Sequence, residues 1–183
     1  MAMSELEEIK AEFEELTGVK KATPISKERV LAWMQSKDIQ VLGAVCYLIF
    51  DKRCYPRIEP PLTINDFSGF LMHYYGRCFR ENPDGKWSQT RYEAGWAVAN
   101  WFAHLWDDKT VPRKVPSQIK DWLGRIYKEG NEEIRTCVIT ATLEHLFEHK
   151  GIAGYFADWK KDPSLKLAYD EAMGYAKHLR AKK

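Results

Sequence analysis

Residues 90–108, TRYEAGWAVANWFAHLWDD, constrain the fold more than any other stretch of the chain. Wound as an α-helix at about 100° per residue, Tyr92, Trp96, Val98, Ala99, Trp101, Phe102, Ala103, Leu105 and Trp106 spread over an apolar arc of roughly 220°. Only Glu93, Asn100, His104 and Asp107 share the remaining polar stripe. A helix with so wide an apolar face needs other helices packed around it. The expected architecture is therefore all-α: a single compact multi-helix bundle of seven or eight helices around a central buried helix at 90–108.

The flanking segments read the same way. Ser4 followed by Glu7 forms a capping box and opens a helix whose apolar positions, Leu6, Ile9, Phe13 and Leu16, make only a thin stripe. Residues 1–17 are thus expected as a peripheral or partner-packing helix, ended by Gly18. Ser26 caps KERVLAWMQ, and Asp38 either caps a separate helix over IQVLGAVCYLIF or lies in one bent rod with it. The β-branched content of that run also suits a strand, but no partner strand is visible elsewhere, so the reading stays helical. Thr63 with Asp66 opens a helix to about Arg80, with Phe67, Phe70, Leu71, Tyr74 and Cys78 inward. Gly69, Met72 and Gly76 on its other side form a place for close backbone approach. The turn NPDG at 82–85 separates it from the central helix.

Beyond the central helix, Pro116 suits a first helical turn, and Gly130 stops that helix. Asn131 caps the next, which runs through CVITATLEHLFEH to about His149, where Gly151 ends it. Asp162-Pro163 caps a final helix with Leu165, Ala168, Ala172, Tyr175 and Leu179 inward.

At 183 residues with 45% apolar content, the chain is expected as one helical domain, 1–183. Its net charge of +2 lacks the basic excess of a duplex-binding domain, so no nucleic-acid partner is expected. No apolar run reaches the length of a membrane span, so no membrane partner is expected either. The N-terminus is acidic and helical and carries no secretory pattern. Cys46, Cys54, Cys78 and Cys137 are scattered without CxxC spacing and read as reduced, mostly buried thiols. These readings place the protein in the cytoplasm, of a bacterium.

Four groups of residues are candidates for function. The first is His145-Leu-Phe-Glu148-His149, an HxxEH pattern of the inverzincin type. On a helix His145 and His149 lie one turn apart and can share a metal, with Glu148 beside them to act on a bound water. The same residues also suit the solvated outer face of an amphipathic helix whose inner face is Ile139, Leu143, Leu146 and Phe147. The second is the central stripe, Glu93, Asn100 and His104, as solvent side or as the wall of a ligand site. The third is the group of Tyr74, Tyr75, Arg77, Arg80, Lys86, Trp87 and Arg91 around the NPDG turn, rich in the residue types that dominate interfaces. The fourth is the proline-rich loop DKRCYPRIEPP at 51–61, carrying Arg53, Tyr55 and Arg57, which is either a contact loop or a connection held to the surface by Tyr55 and Ile58. No GxGxxG, Walker loop or GxSxG elbow is present.

From Glu132 onward, EEIRTCVITATLEHLFEH followed by YFADWKKDPSLKLAYDEA resembles the C-terminal helices of uncharacterised bacterial all-helical proteins, some of them immunity-type proteins that neutralise a toxin by binding it. The resemblance covers residues 132–172. It implies a helical, bacterial, cytoplasmic protein and carries no catalytic residues across. The expected function is a non-enzymatic protein-binding protein, of immunity or antitoxin type, needing no cofactor. Its partner is a protein, a toxin or other, and its binding residues are Arg77, Arg80, Trp87, Arg91, Glu93, Asn100 and His104. The alternative is a metal-dependent hydrolase using His145, Glu148 and His149.

Overall fold

The computed structural model describes residues 3–14 and 23–180, with side-chain surroundings for 3–13 and 23–178. The fold is all-α, with 72% of the chain helical. Counting each unbroken rod once gives nine helices among the described residues, and of the two readings open at Asp38 the separate helix is the one that forms. Helix α2 (Lys27–Trp33) ends before Asp38, whose carboxylate accepts from Gln40 N and starts α3 (Ile39–Phe50) afresh. Backbone contacts divide the chain into two compact units, residues 1–77 with 83–89, and 78–82 with 90–183.

In the N-terminal unit, α1 (Glu5–Glu14) starts on the Ser4–Glu7 box and packs on α3. Its glutamates are held from beneath. Arg29 and Arg57 both reach Glu12, Trp33 Nε1 donates to Glu8, and Ser36 Oγ donates to Glu5. Leu16 and Gly18 lie outside the described residues. A two-residue parallel ladder joins β1 (Ile25–Ser26) to β2 (Ile58–Glu59), a pairing too short to leave a periodic signal in the sequence. The loop that supplies β2 contains a 3-10 turn, Tyr55–Arg57, and a cis Glu59–Pro60 bond.

Arg57 in that loop is buried, and its guanidinium donates to the carbonyls of Thr23 and Glu12 and to the Glu12 carboxylate. It is therefore an internal tie between three segments. Helix α4 (Ile64–Glu81) opens on the reciprocal Thr63–Asp66 box, where Lys27 also pairs with Asp66 at 2.7 Å. Gly69 is open to solvent and receives no neighbouring backbone. A close approach occurs at Gly43 on α3, where a methyl group would overlap the Trp87 carbonyl.

The C-terminal unit is built on α5 (Arg91–Asp107), which packs against α6 (Lys114–Glu129), α7 (Glu132–Cys137), a π-helical segment (Val138–Leu143) and α8 (Glu144–Glu148). The complete Thr90–Glu93 capping box starts α5. Val98, Ala99, Trp101, Phe102 and Ala103 are buried as expected, while Leu105 and Trp106 are half-buried. Tyr92 and Trp96 are 44% and 50% exposed, so the buried arc is narrower than the apolar one. The stripe of Glu93, Asn100 and His104 widens into an exposed face that includes both aromatics.

Gly151, at φ 88°, stops the rod and leads into α9 (Ile152–Tyr155). A 3-10 turn (Ala157–Lys161) precedes α10 (Lys166–Arg180). Asp162 accepts from Ser164 N in a turn before α10, so that helix begins later than Asp162-Pro163 suggests. Leu165, Ala168 and Ala172 face inward, whereas Tyr175 is 40% exposed, and the Leu179 side chain lies outside the described residues.

The π segment packs tightly on α5. Thr142 Oγ1 donates to the Gly95 carbonyl, and a Cβ built on Gly95 would sit 2.6 Å from the Ala141 methyl. Gly95→Ala is accordingly expected to destabilise the protein by about 1.5 kcal/mol through overpacking, measured as a lower urea midpoint at unchanged slope.

All four cysteines are free and buried. Burial pushes the Cys137 thiol up to about 12, against the lowering influence of Arg91. None of the four is expected to react with a thiol reagent at neutral pH in the native protein, and all four are expected to react in denaturant.

Candidate functional sites

Of the residues singled out around the turn, several serve the fold. Arg91 is buried. Its Nε donates to the Phe79 carbonyl, its Nη1 lies 2.6 Å from the Glu133 carboxylate, and its backbone N donates to Asn82 Oδ1. The Cys137 thiol donates to the Arg91 carbonyl. Glu93 is engaged in the Thr90 cap. Tyr74 and Tyr75 are buried, the Tyr74 hydroxyl accepting from Gln89 N. Trp87 is half-buried and clasped by rings, with Phe13 stacked at 6.0 Å, Tyr47 edge-on at 5.9 Å and the Lys86 ammonium 5.7 Å from its centroid. Arg77 donates to the Lys37 carbonyl, and Arg80 makes an exposed 3.4 Å pair with Glu129.

Asn100 and His104 remain exposed on α5, and Asn100 meets a second group from the sequence. The depression between α5 and α8 has a volume of about 380 Å³ and is lined by Trp96, Ala99, Asn100, His145, Glu148 and His149. His145 stands edge-on to the Trp96 ring at 6.5 Å and 84°, and its Nδ1 lies 3.9 Å from Glu148 Oε1. The HxxEH pattern is thus brought to the polar stripe of α5. Helix α8 ends at Glu148, and His149 caps it at φ −75° and ψ 137°. Among the described residues no group of three or more His, Cys, Asp or Glu side chains is placed to hold a metal ion.

The N-terminal unit has an apolar groove that sequence reasoning had not assembled. Ile49, Tyr55, Leu62, Thr63, Ile64 and Phe67 line a space of about 400 Å³. Phe50 lies edge-on to Phe67 at 5.4 Å, and Tyr55 edge-on at 6.4 Å. Phe50, Tyr55 and Ile64 are all exposed, at 51%, 38% and 38%. Phe67, assigned from sequence to the core, is only half-buried and forms the centre of the cluster.

Two helix ends and the 51–61 loop create this groove. Phe50 closes α3, Ile64 opens α4, and the 3-10 turn holds Tyr55 between them. Asp51 anchors the turn by accepting from Arg53 N and Cys54 N, and the Arg53 side chain beside it holds its carboxyl at about 2. A signal for the groove was present in the sequence: large apolar residues at both ends of a proline-rich connection.

No protein-family model matches the chain, and no curated protein or solved structure matches it. Among the described residues no helix is long and apolar enough to cross a membrane.

Proposed function

We propose that the chain is a non-enzymatic protein-binding protein that docks its partner on the groove formed by Phe50, Tyr55, Ile64 and Phe67. The observation that carries this reading is the contiguous, solvent-facing cluster itself. Three large apolar side chains stay in water around a fourth, although burial would stabilise each by roughly 1.5–3 kcal/mol. Rigid aromatic anchors in a shallow groove are the usual centres of binding energy at protein interfaces. The proline-rich loop takes part through Tyr55, as its composition suggests, while Arg57 works inward. The similarity of residues 132–172 to bacterial immunity-type proteins supports a toxin as the partner and the cytoplasm as the place of action. The hydrolase reading has no comparable support, since among the described residues no group of three or more His, Cys, Asp or Glu side chains is placed to hold a metal ion.

A photo-crosslinking amino acid at Tyr55 tests the proposal in cells of the native host. One protein is expected to be captured reproducibly, and to bind the purified chain with an affinity reduced at least tenfold by Phe50→Asp. If Phe50→Asp retains the native circular dichroism and still binds that protein with unchanged affinity, the groove is not the docking face. If Tyr55 captures nothing above the level of a surface control position, the reading fails outright.

A further inference from the structure

The depression between α5 and α8 belongs to the other unit and answers a different question. Its floor holds an indole that is half exposed, on a helix that buries Trp101 and the neighbouring Phe102. The open indole face attracts cations more strongly than any other side-chain ring. One turn earlier on α5, Tyr92 is exposed as well. Glu148 supplies a carboxylate at the rim, 3.9 Å from His145, and Asn100, His145 and His149 add acceptors that also donate. No lysine or arginine lines the space, which argues against an anion. The absence of a three-ligand cluster argues against a bare metal ion.

We infer that this depression binds an organic cation, a guanidinium or alkylammonium group laid on the Trp96 face with its charge directed to Glu148. Further carboxylates lie close by. Burial raises Glu144 above the usual carboxylate range, and Glu171 and Glu148 raise it further. The space of about 380 Å³ accommodates a guanidinium with its aliphatic stem. The chemistry is the same whether the group belongs to a free small molecule or to an arginine side chain of a peptide.

The test follows the Trp96 indole N–H and the His145 ring signals by NMR during titration with N-acetyl-arginine amide. The isosteric citrulline derivative, which is neutral, and a short arginine-containing peptide form the other arms. Saturable shifts are expected with the arginine compound, with a dissociation constant on the order of a few millimolar. None is expected with the citrulline compound. Tighter binding of the peptide assigns the source to a protein, and equal binding assigns it to a small molecule. Trp96→Ala is expected to weaken binding at least tenfold and Glu148→Gln about fivefold. Both sites are exposed, so both variants are expected to keep the wild-type melting temperature. Equal shifts with the citrulline derivative, or unchanged binding by Trp96→Ala, would overturn the inference. So would a lack of saturable shifts with the arginine compound up to about 50 mM, since a cation held that weakly is not held by a site. The outcome is independent of the groove at Phe50, which is read by a different assay on different residues.

Discussion

Phe102→Ala is expected to lower the unfolding free energy by about 4 kcal/mol, the largest single loss we anticipate. Phe102 is fully buried on α5, stacked on Trp106 at 15° and tilted against Phe156 and Tyr155, with centroids 5.6 and 6.4 Å away. Its removal strips the common member from a run of rings that continues through Phe156 to Phe147 and Trp159. Large flat neighbours cannot collapse into the hole without leaving their own rotamers, so most of the cavity cost persists. Urea denaturation should show the loss at nearly unchanged slope, and the melting temperature should fall by about 10 °C. Phe102→Leu should cost only about 1.5 kcal/mol, because it keeps most of the volume. A loss below about 1 kcal/mol for the alanine variant would mean that the cluster repacks freely.

Arg91→Met is expected to cost about 2.5 kcal/mol, and the reason is the carbonyl it abandons rather than the charge it loses. The Phe79 carbonyl receives the Nε hydrogen in a buried setting, and methionine leaves it without that donor. The Glu133 carboxylate, by contrast, is 74% exposed and returns to water when its partner goes. Glu133→Ala should therefore cost under about 0.5 kcal/mol, while Arg91→Met costs several times as much. Equal losses in the two variants would show that the ion pair, not the carbonyl, is what matters. Arg91→Lys should fall between, since an ammonium reaches one acceptor where the guanidinium fork reaches two.

The contrast between Arg91 and Trp96 shows what the sequence could and could not reveal. Local chemistry was legible. The Ser4–Glu7 and Thr63–Asp66 boxes and the Asn131 cap each involve residues three apart, and each forms where the pattern places it. Burial was legible only as preference. Apolar periodicity says which residues would accept a neighbour, not whether one arrives, so Tyr92 and Trp96 belong to the apolar arc and yet stay 44% and 50% exposed. The reverse error befell Arg91, whose charge suggests the surface while its acceptor, the Phe79 carbonyl, lies twelve residues away and is set by the packing. The groove at Phe67 escaped for a related reason. It is assembled by a turn between two helix ends, and no periodic signal spans a turn. The candidate sites were thus named in pieces: Asn100 in one group and His145 in another, Tyr55 in a loop and Phe67 in a core.

The wide turn at Val138–Leu143 has a last consequence. A π-helical turn holds one residue more than an α-helical turn of the same height, so everything after it is rotated by about 100° against a regular helix. His145 and Glu148 owe their meeting with Trp96 to that extra residue. Winding these residues as a regular α-helix would swing both side chains off the α5 face, whereas loss of a single codon within 138–143 would remove the extra residue and keep them on it. The α5 face is therefore expected to tolerate one lost residue in this turn and not in a regular one, where each lost residue turns the rest of the rod by about 100°.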